Sequence, residues 1–292
     1  MKFDLNAPNP TAPFRRIPSG KILEKIILKR LPESGSIYNM MLMSANKPEL
    51  GIQWYTLHGF ISPESWIVAT CLREDMGNEY SISSPPDAEI TEEIKEAFKN
   101  SQLFDWNNKY LLAGIDNRLS KLFYEITIQE QGNSTLVLPC VALTISPEVA
   151  EEFCNEPNSF GPEVSVQPLN DDPSAVKFLA AGWSATKSGT EEHLTKLLDH
   201  LPSSGIYVDT ELVSGILLKG HGTIGMSFTL PNHRAKGYAR AAYKALIVEL
   251  IKKQLVPCLH ITISNETSRR FHEKIGFKIT HRVDFFEFNG KQ

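Results

Sequence analysis

Residues 229–239 have the sequence TLPNHRAKGYA, and they lie between a predicted β-strand and a predicted α-helix. The strand is expected over Thr223–Leu230, a stretch rich in β-forming side chains. The helix is expected from Ala239 to about Gln254, because its apolar residues recur at helical spacing until Pro257 interrupts the pattern. The stretch therefore predicts a strand–loop–helix unit.

The start of that helix has the chemistry of an anion-binding loop. A helix N-terminus presents about four backbone N–H groups without intrahelical acceptors, together with the positive end of the helix dipole. Small residues let a diphosphate approach the main chain, and cations add attraction; the loop offers Ala235, Gly237, Ala239, Arg234 and Lys236. From this loop alone, a plain strand–helix connection, in which Gly237 permits a tight turn, is the equal alternative.

A second stretch, NETSRRFHEKIGF at residues 265–277, follows one helix and one strand later. Taken together, the two stretches resemble the GNAT acyltransferase superfamily. Its first motif is (Gln or Arg)-x-x-Gly-x-(Gly or Ala), and its second is Asn-x-x-(Ala or Ser)-x-x-apolar-Tyr-x-x-x-Gly-Phe. Both match in order and spacing, with His272 at the place of the tyrosine.

The resemblance implies an α+β GNAT fold with a mixed, mostly antiparallel central sheet, and an acyl-CoA or acetyl-CoA thioester as co-substrate. The backbone at Thr229 and Leu230 would meet the pantetheine arm and the thioester carbonyl, and Asn265 would brace the cofactor where two strands splay apart. The full set of implied coenzyme A-binding residues is Thr229, Leu230, Arg234, Ala235, Lys236, Gly237, Tyr238, Ala239 and Asn265.

Acyl transfer to an amine needs a proton acceptor for the amine and a proton donor for the leaving thiolate. The resemblance implies His272 as the general acid; an exposed helix residue without a catalytic role is the alternative. The base is left open, because Asn232 stands where glycine N-acyltransferases often have Glu, and an amide cannot accept that proton. His221 and Glu211 are candidate bases acting through water, and His233 is interpreted as a solvated loop residue.

Three further features resemble the glycine N-acyltransferase family: Leu31-Pro32-Glu33-Ser34, Ser101-x-x-x-x-Trp106, and Thr229-Leu230-Pro231. This resemblance implies an N-acyltransferase acting on a small amine, glycine or another amino acid. It also implies a smaller α/β domain ahead of the GNAT domain, with a GNAT-like fold as one alternative for it. The alternative functions are a non-catalytic acyl-CoA binding protein and a GNAT N-acetyltransferase of protein or peptide amines.

The predicted organisation is an N-terminal extension at 1–20, a first domain at 21–150 and the GNAT domain at 163–292. The turn-rich segment Ser146–Pro162 suggests the boundary. Predicted helices are Pro18–Pro32, Thr91–Lys99, Asp172–Ala181, Thr190–Leu201 and Asn265–Ile275, and predicted strands are Ile37–Met43, Gly51–Leu57, Trp66–Leu72, Leu136–Ile145, Val164–Leu169, Cys258–Ile263 and Lys278–Glu287. A meander of three strands is expected at Gly205–Val208, Val213–Lys219 and Thr223–Leu230. No internal repeat is evident in the sequence.

Composition narrows the class of protein. The 292 residues carry a net charge of −4 and a pI near 6.1, so there is no basic surplus for a nucleic-acid partner. No apolar run approaches the ~20 residues of a membrane span. The four cysteines are dispersed, which favours reduced thiols and predicts no metal site. We expect a monomer, cytoplasmic or mitochondrial and not secreted.

Overall fold

The computed structural model describes residues 12–75, 77–128, 135–158, 160–183 and 187–290. The chain forms two compact units. The first comprises Met1–Leu72, Met76–Cys140 and Arg282–Gln292, and the second comprises Arg73–Asp75 and Val141–His281. This division differs from the predicted domains 21–150 and 163–292. Most of the predicted extension at 1–20 lies outside the described residues.

The first unit consists of a sheet and helices. Its elements are β1 (Phe14–Ile17), α1 (Lys21–Leu28), α2 (Gly35–Asn46), β2 (Gln53–Leu57), β3 (Ile67–Arg73), β4 (Gly77–Ser83), α3 (Glu92–Lys99), β5 (Tyr110–Asp116), α4 (Asn117–Ile126) and β6 (Thr135–Thr144). The strand order is β1-β2-β3-β4-β5, followed by β12 (Lys278–Phe288). The pairs β1–β2, β2–β3 and β5–β12 are antiparallel, whereas β4 and β5 are parallel.

The second unit repeats this pattern. Its elements are α5 (Pro147–Asn155), β7 (Val164–Gln167), α6 (Ala175–Ala181), α7 (Thr190–His200), β8 (Ser203–Val208), β9 (Glu211–Leu218), β10 (Ile224–Thr229), α8 (Tyr238–Lys252), β11 (Cys258–Thr262) and α9 (Glu266–Lys274). The order is β7-β8-β9-β10-β11, followed by β6. The β8-β9-β10 meander is antiparallel, as predicted, and β10 pairs with β11 in parallel.

Both units thus follow one element order: strand, two helices, three strands, helix, strand, helix, strand. In each unit the sheet is completed by a strand from the other half of the sequence, β12 beside β5 and β6 beside β11. The repeat was missed in the sequence because it is preserved in the order of elements rather than in residue types.

The predicted strand Ile37–Met43 is wrong, since these residues lie inside helix α2. Nearly every side chain of the segment is buried, Ile37, Tyr38, Asn39, Met40, Met41 and Met43 among them. A helix buried on all sides has no polar face, so its apolar run resembles a buried strand.

The turn-rich segment Ser146–Pro162 also contains a helix that the sequence analysis did not predict. The Ser146 side chain accepts a hydrogen bond from the Val149 N–H at 3.4 Å and caps α5, and Pro147 occupies its first turn. A Ser-Pro pair fits a helix start as well as a turn, because proline needs no N–H acceptor there.

Aromatic rings fill the core of the first unit. Phe98, Phe104 and Phe123 pack together with ring centroids 5.0 to 6.1 Å apart. Trp106 packs on Phe104 and Phe288, at 6.1 and 5.7 Å, so it is a core residue. Among the described residues, no helix is long and apolar enough to cross a membrane.

Candidate coenzyme A site

Strand β10 contains a β-bulge close to its end. Gly225 pairs with Leu217 and Phe228 with Gly215, so β10 has one more residue than β9 between these pairs. Met226, inside the bulge, has a positive φ of 55°. A bulge breaks the regular ladder and bends the strand, which redirects backbone N–H groups. The sequence analysis did not find this feature.

The other edge of β10 is open over most of its length. The parallel pairing with β11 has a single register position, Ile224 with Leu259, although β10 continues to Thr229. The two strands therefore separate after Ile224. A gap between parallel strands, next to a bulge, gives a ligand access to the backbone of β10.

The loop after β10 ends at the uncapped start of a long helix. A 3-10 turn over Pro231–His233 leads to Ala235 and Gly237, which both have positive φ, 59° and 85°. Gly237 precedes the 15-residue helix α8, and no side chain hydrogen-bonds to the first-turn N–H groups. These N–H groups have no acceptor within the helix, so an anion can bind them. We call Arg234–Ala239 the diphosphate loop.

Gly237 is needed for its backbone conformation rather than for space. A Cβ atom at this position would lie 3.7 Å from the ring of Phe160, an ordinary van der Waals distance. A φ of 85° is strained for other residues. The ring of Tyr238 packs beside the loop against Phe160, with centroids 5.4 Å apart.

The residues predicted to meet the pantetheine arm have specific contacts. The Leu230 N–H donates to the Val213 carbonyl at 2.9 Å, so it is already used and does not suit the predicted oxyanion role. The Thr229 hydroxyl lies 2.8 Å from the Ser214 hydroxyl, and the Arg234 Nε–H donates to the Thr229 carbonyl at 3.1 Å. The bulged backbone at Met226 is the better candidate for binding a carbonyl oxygen.

Asn265 caps helix α9. Its side-chain oxygen accepts a hydrogen bond from the Ser268 N–H at 3.1 Å, and it follows directly on the end of β11. The residue is exposed beside the separated strands. It therefore has a structural function in α9, in addition to the cofactor contact that the sequence predicts.

His272 is buried rather than exposed. Its Nδ1 lies 2.7 Å from the Ser268 carbonyl, and its Nε2 is buried without a hydrogen-bond partner. The ring packs against Tyr243 and Phe277, with centroids 4.9 and 5.8 Å away. Burial lowers the pKa of His272 to about 4.

These contacts do not fit the general acid predicted for His272. The carbonyl of Ser268 requires the ring proton on Nδ1, which leaves Nε2 as an acceptor at neutral pH. Donating a proton from Nε2 would require the imidazolium, which burial opposes.

Of the candidate bases, the structure separates His221 from the loop. His221 precedes β10, and its Nε2 lies 2.8 Å from the Thr223 hydroxyl. The six residues of β10 lie between it and the loop, about 20 Å of strand at about 3.3 Å per residue. Glu211, by contrast, begins β9 at the loop end, with its Oε2 4.0 Å from the Nε2 of His233.

Coordinates of other proteins show the same architecture. A solved Drosophila protein aligns over 96% of this chain and 100% of its own, with 18% identity and a TM-score of 0.81. A tandem GNAT protein from the clavulanic acid biosynthesis pathway aligns over 94% of this chain and 97% of its own, with 9% identity and a TM-score of 0.52.

The chain has the GNAT fold. The family model described as FR47-like protein matches residues 203–285, which run from β8 into β12. No curated protein matches the chain. The comparisons thus support the GNAT fold, but they do not support the narrower glycine N-acyltransferase family. Within the described residues, no group of three or more His, Cys, Asp or Glu could hold a metal ion.

Proposed function

We propose that the protein is an acyl-CoA-dependent N-acyltransferase that transfers an acyl group to the amine of a small acceptor, glycine or another amino acid. The observation that carries this proposal is the uncapped start of α8, placed directly after a bulged strand whose edge is open. A diphosphate and a thioester are the two ends of acyl-CoA that these two features fit.

In this proposal the N–H groups at the start of α8, with Arg234 and Lys236, bind the diphosphate. The pantetheine arm extends along β10 past Thr229 and Leu230, and Asn265 contacts it from the end of β11. Tyr238 and Ala239 belong to the first turn of α8 and supply backbone N–H groups.

The reaction needs little covalent chemistry from the protein. Acyl-CoA supplies an activated carbonyl; the acceptor amine attacks it, the C–S bond breaks and free coenzyme A leaves. Orientation of the two reactants in one complex supplies much of the rate. The bulged backbone of β10 stabilises negative charge on the carbonyl oxygen.

The test is acetyl-CoA binding by calorimetry to the wild type and to Gly237→Val. We expect at least a tenfold weaker affinity, because valine cannot hold the 85° φ that shapes the loop. Gly51→Val is the matched control: Gly51 also has a positive φ, 65°, with no atom within 4 Å of a Cβ. Unchanged affinity in Gly237→Val, in a folded protein, would refute the binding site.

A second candidate function is an acyl-CoA binding protein without turnover. Asn232 supports it, because this exposed amide stands where the resembling family often has a carboxylate. Release of free thiol from acetyl-CoA, measured with a panel of amino acids and a lysine peptide, separates the candidates. Binding without thiol release favours the binding protein, and release with the peptide alone favours a peptide acetyltransferase.

A further inference from the structure

We propose that His233 is the general base of the transfer reaction and that Glu211 is its positioning partner. The inference rests on the proposed function. Asn232 cannot accept a proton, so the base of the reaction was unassigned, and His233 would take that role. The sequence had suggested that His233 is a solvated loop residue.

His233 lies where the two reactants would meet. It is the last residue of the 3-10 turn between β10 and the diphosphate loop, and its N–H donates to the Leu230 carbonyl at 2.9 Å. Its side chain is only 19% exposed, and its ring packs against Tyr238 with centroids 6.0 Å apart. The imidazole is therefore held in place beside the coenzyme A site.

The two ring nitrogens have different surroundings. Nε2 faces the Glu211 carboxylate at 4.0 Å, whereas Nδ1 is buried and has no hydrogen-bond partner. At 4.0 Å the carboxylate is beyond hydrogen-bond distance, but its negative charge stabilises positive charge that forms on the ring. Since Nδ1 is buried, Nε2 is the nitrogen that a ligand can reach, and it can take a proton from the acceptor amine beside the Glu211 carboxylate.

The other ionisable side chains suit this task less well. His272 is surrounded by aromatic rings and has no carboxylate among its contacts, and its pKa of about 4 shows how strongly burial opposes a positive charge. His221 lies at the opposite end of β10. Asn232 has no basic nitrogen.

The proton transfers balance as follows. The acceptor arrives as an ammonium, and one N–H bond breaks as its proton moves to His233 Nε2, giving an imidazolium beside Glu211. The freed lone pair forms the N–C bond with the thioester carbon. The C–S bond then breaks, the amine nitrogen loses a second proton and the departing sulfur gains one. His233 finally returns its proton to solvent.

The charged and titratable groups near His233 set the expected pH dependence. Glu211 approaches from β9, Tyr238 from α8, and Arg234 and Lys236 from the diphosphate loop. Glu211 is the acidic side chain of this set, so Glu211→Gln removes the group that would stabilise positive charge on the ring. Glu211→Gln is therefore expected to lower kcat/KM and to change its pH profile relative to the wild type.

The experiment measures acetyl-CoA affinity and amine-dependent thiol release from pH 5.5 to 9 for the wild type, His233→Gln and Glu211→Gln. We expect His233→Gln to reduce kcat/KM by about 100-fold or more and to abolish the acidic limb, with acetyl-CoA affinity unchanged within about twofold. His58→Gln is the matched control, since His58 forms an exposed pair with Glu93 at 3.4 Å in the first unit.

A His233→Gln variant that keeps the wild-type rate and acidic limb overturns the base assignment and leaves the proposed function in place. An unchanged limb in Glu211→Gln overturns the role of Glu211. If wild-type protein binds acetyl-CoA but releases no thiol with any amine, the transferase proposal fails, and the base assignment fails with it.

Discussion

The two units share one element order, yet only the second has an open start on the helix that follows its third consecutive strand. In the first unit this helix is α3, and the Thr91 hydroxyl caps it by accepting a hydrogen bond from the Ile94 N–H at 3.4 Å. Glu92 and Glu93 add negative charge to its first turn. In the second unit α8 has neither cap nor acid there. An anion would be repelled from α3 and attracted to α8.

The pairing of the parallel strands also differs between the two units. Strands β4 and β5 pair at three register positions, from Asn78–Tyr110 to Tyr80–Leu112, whereas β10 and β11 pair at one. The Tyr80 hydroxyl, on β4, also donates a hydrogen bond to the Leu103 carbonyl in the first unit. The first sheet is therefore closed where the second is open.

A buried arginine occupies the end of β4. The Arg30 guanidinium donates to the Ser83 carbonyl and hydroxyl at 3.1 and 3.0 Å, and to the carbonyls of Pro63 and Ser65 at 2.7 Å each. Burial lowers the pKa of Arg30 to about 10. Thr229, at the corresponding end of β10, accepts one hydrogen bond from Arg234, which is exposed rather than buried.

The largest expected effect concerns the number of acetyl-CoA molecules that each chain binds. Calorimetry should show one acetyl-CoA bound per chain, and Gly237→Val should weaken that event, because Thr91 caps α3 in the first unit whereas the corresponding helix α8 has no side-chain cap. A second binding event that survives in Gly237→Val would show that the first unit also binds the cofactor.

Replacing the buried Arg30 should destabilise the first unit. Arg30→Ala removes the donor from the buried carbonyls of Ser65 and Ser83 and from the carbonyl of Pro63, and we expect a loss of about 4 kcal/mol in the free energy of unfolding, measured with urea. Lys29→Ala, at the exposed neighbour, should change it by less than about 0.5 kcal/mol. Similar free energies of unfolding for both variants would mean that the hydrogen bonds of Arg30 do not stabilise the first unit.

The buried His272 should make the protein sensitive to acid. Its pKa of about 4 lies below the ordinary 6.5, so the unfolded chain binds the proton first and stability falls as pH drops from about 6.5 to 4. The expected loss is about 3 kcal/mol at pH 4. In denaturation curves at pH 7 and pH 4, His272→Phe should lose less stability than the wild type. Equal losses would contradict the assignment. The buried His260, whose pKa burial also lowers, contributes the same trend in both proteins.

The smallest effect concerns the helix cap. Thr91→Ala should cost about 1 kcal/mol of stability, because the first turn of α3 loses its acceptor. Acetyl-CoA affinity should stay the same, since the cap belongs to the first unit. A changed affinity in this variant would show that α3 takes part in binding.

Much of the second unit could be predicted because its signals are local. The meander, α8 and α9 follow from apolar spacing, and the diphosphate loop is a run of neighbouring residues. Strands β1, β4 and β5 and helix α4 were missed in the first unit. The resemblance located His272 by alignment to a tyrosine, but burial gave the residue different chemistry from the acid expected there.

The sequence by itself determined the loop at the start of α8, because contiguous residues and helix geometry specify it, and its resemblance to the GNAT superfamily predicted the fold of the second half. Three contacts were decided only by the tertiary structure. The Leu230 N–H donates to the Val213 carbonyl, the Arg30 guanidinium donates to Ser83 at the end of β4, and Glu211 lies beside His233. In each case the partners are distant in the chain, so their contact depends on strand register and packing that no local pattern encodes.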